Sequence, residues 1–248
     1  MIWGDFHIHT EYSGFGHATG TTEEIYAAAK KLGLKQIGLS DHGLKHIYFG
    51  TNKRKLFKMR DEVDKLNAKN DIKVFMGIES NIYCSDGLID LQNFDRSIFN
   101  YVIAGFHKFV WGKNIIDSIT FNFPAIIGNH DDGAIKRNTR AYIKAIKTQN
   151  IDILSHLNFG MIVDVVEVGK AAADYGVLIE LNGKHVSMKD EEILELERLG
   201  VKFIINSDAH NPRRVGEVSV PLSVAERINL NKESIVNWQK LVAFSKQN

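Results

Sequence analysis

Cysteine is almost absent. Cys84 is the only one in 248 residues, which excludes an internal disulfide framework and fits a reducing compartment. Proline is nearly as scarce, with three in the chain, and no Ser/Gly-rich or low-complexity tract marks a linker. Charge of one sign is missing as well: a formal net charge of +1 argues against a dedicated nucleic-acid or membrane surface. No apolar run approaches the roughly 20 residues that a spanning helix needs, and the opening MIWGDF has neither the basic nor the apolar region of a signal peptide. These absences read as a cytoplasmic globular protein. With 44% hydrophobic and 25% charged residues the chain has the material for a large core, and its length suits either two small domains or one α/β barrel.

Segments of strand and helix character alternate from end to end. IWGDFHI, KQIGLSD, IKVFMGIE, YVIAGFH, IDILSH, VLIELN and VKFIINSD are short and apolar. Between them, TTEEIYAAAKKLG has a threonine cap, early acids, late lysines and a glycine stop, and KRKLFKMRDEVDKLNAK, TRAYIKAIKTQ, MIVDVVEVGKAAADYG and DEEILELERLG also read as helices. Strands buried on both faces and joined by helices form a parallel sheet. Seven of them in one domain spanning 1–248 predict an α/β fold, a distorted seven-stranded (β/α)7 barrel of TIM-barrel type, with an open doubly wound sheet as the alternative. The tail KESIVNWQKLVAF has apolar residues at helical spacing and predicts a closing helix. The stretch from about 109 to 138 is too long for an ordinary connection and reads as an insertion or lid loop.

The polar residues fall at one edge of this pattern. In DFHIHT, strand alternation places Asp5, His7 and His9 on one side and Phe6 and Ile8 on the other. Strand two ends in SDHG with Asp41 and His42, strand three in GIES with Glu79, and strand four in GFHK with His107. Strand five ends in LSHLN with His156, and strand seven in NSDAH with Asp208 and His210. All are C-terminal ends, which in a parallel barrel share the face where barrel enzymes place their chemistry, and His17 in the loop after strand one can join them. Satisfied core histidines have no reason to gather there, whereas His46, His130 and His185 lie off the pattern. Seven histidines with Glu79 and Asp208 give nine candidate ligands, and a catalytic zinc-type site takes three or four. More than one ion is implied, three being the natural division, and mixed imidazole and carboxylate ligation suits zinc, manganese or iron.

The ordered set D-x-H-x-H, a following histidine, S-D-H-G, G-I-E, G-F-H, S-H and S-D-x-H resembles the PHP (polymerase and histidinol phosphatase) superfamily, and within it the stand-alone YcdX-like phosphatases. The resemblance covers essentially the whole chain. It implies a trinuclear centre in which His7, His9, Glu79 and Asp208 hold one metal, Glu79 bridges to a second held by His107 and His156, and His17, His42 and His210 hold the third. Two features depart from the pattern: a slightly longer spacing from His9 to His17, and the stretch from Trp111 to Asn138, which looks like an insertion.

A cluster of cations lowers the pKa of bound water, binds phosphoryl oxygens and neutralises a leaving oxygen, so the expected reaction is hydrolysis of a small phosphomonoester by a metal-activated hydroxide. No G-x-S-x-G motif competes, and Cys84 is isolated. Asp5 and Asp41 are expected to orient imidazoles. Arg213 and Arg214 in NPRR are candidates to clamp phosphate, Lys108 is a weaker one, and His130, Asp131 and Asp132 could add a ligand or proton donor. The alternatives are a histidinol phosphatase, a 3'-5' exonuclease or phosphodiesterase, an amidohydrolase, and a non-catalytic metal-binding regulatory module. Expected partners are a small phosphorylated substrate and, compatibly with the sequence, further copies of the chain; nucleic acid is disfavoured.

Overall fold

The computed structural model describes residues 1–128 and 130–244; Asn129, within the long stretch singled out above, lies outside the described residues. Seven strands form one sheet in sequence order: β1 Gly4–Ile8, β2 Gln36–Leu39, β3 Lys73–Asn81, β4 Tyr101–Gly105, β5 Ile153–Leu154, β6 Leu178–Asn182 and β7 Phe203–Asn206. Every neighbouring pair is parallel. The sheet curls until its edges meet: Ile8 bridges Ala209 just past β7, with His9 N donating to Ala209 O at 2.8 Å. This is the distorted, nearly closed (β/α)7 barrel that the alternation predicts, and the open sheet is excluded.

The helices are α1 Thr22–Lys31, α2 Lys53–Asn67, the short α3 Ile115–Asp117 and α4 Phe123–Ile126, then α5 Asp132–Thr148, α6 Val165–Tyr175, α7 Asp190–Arg198 and α8 Ser219–Arg227. Their starts follow local chemistry. Thr21 and Glu24 form a capping box on α1, and the side chains of Asn52, Asp131 and Asp164 accept from the first-turn N–H groups of α2, α5 and α6. The helix expected over 139–149 therefore begins earlier, because Asp131 caps it. The remainder of the long stretch is a string of helical turns over 115–126 that leaves Trp111, Ile115, Ile116, Ile119, Phe123 and Ile127 exposed. Among the described residues no helix is long and apolar enough to cross a membrane.

Two expectations are corrected. First, alternation along β1 is broken: the register with β2 shifts between Asp5 and Ile8, so Phe6 packs with Phe75, Tyr101, Ile103, Ile153 and Ile204 while Ile8 joins the separate core under the helices. A bulge supplies the extra residue that re-aims the strand toward its functional end. Second, the tail is not a helix. After a short 3-10 turn at Lys232–Ser234 it runs across the N-terminal end of the barrel, where Asn237 donates to Gly4 O and Ile205 O and accepts from Ile205 N. Val242 exchanges hydrogen bonds with the Gln36 side chain, and Phe244 stacks on Tyr101 at 4.5 Å. A helix would consume those backbone groups internally and leave the end of the barrel open. The last helix is instead α8, which packs against β6.

The lower barrel is filled by Tyr101, whose hydroxyl donates to Phe6 O at 2.6 Å. Gly38 and Gly77 make the room: a Cβ there would lie 2.1 Å from the Tyr101 hydroxyl and 2.3 Å from its ring, respectively. Beyond that apolar layer the candidate ligands gather at the C-terminal ends of the strands.

Candidate metal centre

The nine residues predicted from strand ends converge on that end. Glu79, from β3, is 1% exposed and sits among imidazoles. Its Oε1 lies 3.2 Å from His7 Nε2, 3.2 Å from His107 Nε2 and 3.0 Å from His156 Nε2. Its Oε2 lies 2.9 Å from His42 Nδ1 and 3.5 Å from His9 Nε2. Asp208 Oδ1 approaches His9 Nε2 at 3.4 Å and His7 Nε2 at 3.8 Å, and His17 Nε2 faces His210 Nε2 at 2.8 Å. Three groups have their ligand atoms within 4.8 Å of one another: His7, His9 and Glu79; His42, Glu79 and His107; and His9, His42 and His210. The backbone is bent to achieve this, since His156 and Asp208 have φ of 28° and 52°.

Hydrogen bonds set which ring nitrogens point inward. His7 Nδ1 lies 2.8 Å from Glu180 Oε1 and His107 Nδ1 lies 2.8 Å from Asn81 Oδ1. Both partners are acceptors, so each Nδ1–H donates outward and Nε2 is turned toward Glu79. Asn81 is fixed in turn by Asp90, which accepts from its Nδ2 at 2.7 Å and from its backbone N at 2.9 Å. Glu180 also accepts from His156 N and from the side chains of Asn182 and Asn206. Neither Glu180 nor Asn81 emerged from the sequence. The available signal for Glu180 was an acid in the middle of the apolar strand VLIELN.

Asp5 and Asp41 act differently from the expectation. Asp5 accepts from Ser207 N, Ser207 Oγ and Gly216 N, and Asp41 accepts from Thr10 N, Thr10 Oγ1 and Ser13 Oγ. Asp41 stands 4.0 Å from His9 Nδ1, beyond hydrogen-bond reach. Both carboxylates pin the loops that carry the histidines and leave the imidazoles alone. Burial pushes the pKa of Asp5 up and that of Asp41 to about 6, against the hydrogen bonds that each accepts.

The electrostatics divide the imidazoles in two. Burial, reinforced by neighbouring rings, holds His9 well below the usual histidine range, His17 at about 4 and His42 at about 3, so these rings are neutral with lone pairs available. His7 is equally buried, but Glu79, Glu180 and Asp208 outweigh that penalty and raise its pKa well above the usual value. Burial likewise opposes ionisation of Glu79, and His107 and His7 overcome it. Among the described residues, the buried His9 Nδ1 and His42 Nε2 have no hydrogen-bond partner, and His42 Nδ1 and Glu79 Oε2 have none besides their own 2.9 Å contact. Unpaired buried polar atoms are costly, and a cluster of them aimed at one volume fits cations between them. The donor set, imidazoles and carboxylates without thiolate, suits divalent zinc, manganese or iron.

A cavity of about 660 Å³ opens over the cluster, lined beyond the candidate ligands by His46, Phe49, Phe106, Lys108, Phe109, Phe159, Lys184 and His185. His46 and His185, off the strand-end pattern, thus belong to the cavity wall, His185 lying against Phe159 with ring centroids 3.8 Å apart. Arg213 and Arg214 do not line the cavity: Arg213 is exposed, and Arg214 pairs with Glu217 at 3.3 Å. His130 is exposed and Asp131 caps α5, away from the cavity wall.

A profile of the PHP domain matches residues 5–242. A probable phosphatase of Shewanella sp. (strain MR-4) is 30% identical over 247 residues, covering 94% of this chain and 86% of that protein. A probable phosphatase of Clostridium acetobutylicum is 29% identical over 262 residues, covering 98% and 93%. Among solved structures, the histidinol phosphate phosphatase of Lactococcus lactis, complexed with zinc, L-histidinol and phosphate, superposes with a TM-score of 0.66 at 19% identity, covering 98% of this chain and 97% of that one. At that identity the superposition speaks for the fold.

Proposed function

This chain belongs to the PHP domain family, and we propose that it is a metal-dependent phosphatase that hydrolyses a small phosphomonoester at a centre of three divalent ions. One observation carries the reading: the buried Glu79 carboxylate lies within 3.5 Å of nitrogens on His7, His9, His42, His107 and His156, with His42 Nε2 and His9 Nδ1 buried and unpaired among the described residues. His7, His9, Glu79 and Asp208 would hold one ion, Glu79 with His107 and His156 a second, and His17, His42 and His210 a third. The relatives named as probable phosphatases support the reaction class.

When bound, such ions supply Lewis acidity toward water and phosphoryl oxygens. The chain supplies the geometry around them. Glu180 and Asn81 hold His7 and His107 in the tautomer that turns Nε2 inward. Asp5 and Asp41 fix the loops of His9 and Asp208 against drift. Phe49, Phe106, Phe109 and Phe159 give the cavity an apolar wall for the alcohol portion of the ester. Segment 109–138 acts as a lid, Phe109 reaching the cavity while Val110 bridges His46 on the opposite loop.

The lining also weighs on substrate choice. Its carboxylates are Glu79 and Asp208, both among the candidate ligands, and its remaining charged groups are Lys108 and Lys184. An aminated ester such as histidinol phosphate would find no free acid to meet its ammonium, so a neutral or additionally anionic alcohol is favoured.

Elemental analysis of protein purified without chelator tests the centre: close to three ions per chain is expected, and one or none refutes it. Parallel assays of p-nitrophenyl phosphate, its bis ester, single-stranded DNA and a cyclic amide separate monoesterase from diesterase, nuclease and amidohydrolase. Full metal loading with no turnover points to a regulatory module.

A further inference from the structure

Six of the seven strands present a candidate ligand at or just beyond their C-terminal ends, and β6 was the silent one. Its loop runs Asn182, Gly183, Lys184, His185 directly into the cavity wall. The path is fixed. Lys184 N donates to Asn182 Oδ1 at 2.9 Å, and Gly183 is pressed so closely on Ser207 that a Cβ would fall 2.7 Å from its Cα. The Lys184 side chain is 33% exposed, with its ammonium 3.1 Å from Asp208 Oδ1 and 2.9 Å from His210 Nδ1.

The contact with His210 cannot be kept by both sides. His210 Nδ1 also lies 2.9 Å from Asp208 O, a carbonyl that can only accept. With Nδ1–H donating to that carbonyl, Nε2 is left with its lone pair facing His17, the arrangement the cluster needs. The ring then offers the ammonium no acceptor. Among the described residues Lys184 then retains a single anchor, Asp208, and has N–H donors to spare at the cavity wall. Of the cationic side chains there, Lys108 follows His107 and among the described residues pairs with no carboxylate, while the arginines of NPRR stand outside.

We propose that Lys184 is the residue that binds a phosphoryl oxygen of the substrate, taking the role that the sequence pattern suggested for Arg213 or Arg214. This rests on the phosphatase reading above. An ammonium with spare donors, tethered by one carboxylate beside the ligand cluster, complements the charge of a phosphate monoester dianion and holds it over the centre. It favours monoesters over diesters, because a diester brings one negative charge less.

Lys184→Met and Lys184→Arg test this in the metal-loaded protein, with p-nitrophenyl phosphate and its bis ester as substrates, inorganic phosphate binding by calorimetry, and metal content per chain. For Lys184→Met the expected results are a drop in kcat/KM on the monoester of roughly a hundredfold, a clearly smaller drop on the diester and roughly tenfold weaker phosphate binding. Metal content should match the wild type, with partial recovery in Lys184→Arg. Unchanged kcat/KM and phosphate affinity in Lys184→Met would overturn the assignment while the wild-type turnover leaves the phosphatase reading standing. Loss of metal in Lys184→Met would also overturn it, showing that the lysine merely positions Asp208. A wild type that is metal-loaded and inactive on both esters would overturn both readings.

Discussion

Glu79→Gln should strip the centre of ions and leave the fold in place. In the ion-free protein the carboxylate stands 3.2 Å from His7 Nε2, and with an effective dielectric of 20 a pair of unit charges at that distance attracts by about 5 kcal/mol. Against this stands the cost of burying the two charges, several kcal/mol for each ion in a real protein interior. The balance is small, because glutamine removes the attraction and one desolvation penalty together while His7 can revert to a neutral ring. Unfolding of the chelated protein by urea should therefore shift by less than the ~3–5 kcal/mol lost when one partner of a fixed buried pair is removed. Ion binding has no such compensation. The amide carries no charge to share between ions, and a loss of only ~3 kcal/mol is already more than a hundredfold in affinity. Elemental analysis after dialysis, and competition with a fluorescent chelator, should find the ions bridged by Glu79 gone and phosphatase activity with them. A Glu79→Gln protein that keeps full metal content would refute the idea that this carboxylate organises the centre. A chelated variant that no longer folds would show that Glu79 is foremost a structural group.

Three further outcomes follow from the same geometry. Glu180→Gln loses the charged partner at 2.8 Å from His7 Nδ1, so metal affinity should fall about 10- to 100-fold with the fold intact, as read by chelator competition. The chelated protein should lose stability as pH falls from about 6.5 toward 4, because His9, His17, His42, His46, His185 and His210 have lowered pKa values and take up protons more readily when unfolded. Asp41, raised to about 6, and Asp5 work the other way, contributing stability at low pH that is lost as pH rises through their folded values; they are outnumbered, so urea midpoints that rise on acidification would contradict the assignment. Gly77→Ala places a Cβ 2.3 Å from Tyr101 Cζ in a closed layer, and should cost about 3 kcal/mol in denaturant unfolding; a neutral result would mean that Tyr101 can move aside.

The seven-strand frame was legible because burial on both faces makes each parallel strand a short apolar run, and helix caps such as Thr21 and Asp164 are local chemistry. The candidate ligands were legible for a related reason. A histidine or acid at the end of an apolar run has nowhere to go but the functional end of the barrel, and that alone brought His7, Glu79, His107, His156 and Asp208 together. The bulge in β1 was hidden because alternation assumes regular pairing, and pairing is a property of two strands. The tail escaped the pattern because apolar spacing in 232–244 fits a helix as well as it fits a plug whose partners, Gly4, Gln36 and Tyr101, lie 233, 206 and 143 residues away.

What the sequence by itself determined, then, is the identity and the edge of the polar residues: side-chain chemistry and strand period are local, and they survive without knowledge of what lies across the barrel. Only the tertiary structure decided which groups meet across it. It brought Glu180 to His7, Asn81 to His107 and Lys184 to Asp208, and it turned Arg213 and Arg214 away from the cavity. Those pairings depend on loop paths and barrel closure, which are set by packing between segments distant in the chain and leave no mark in any one of them.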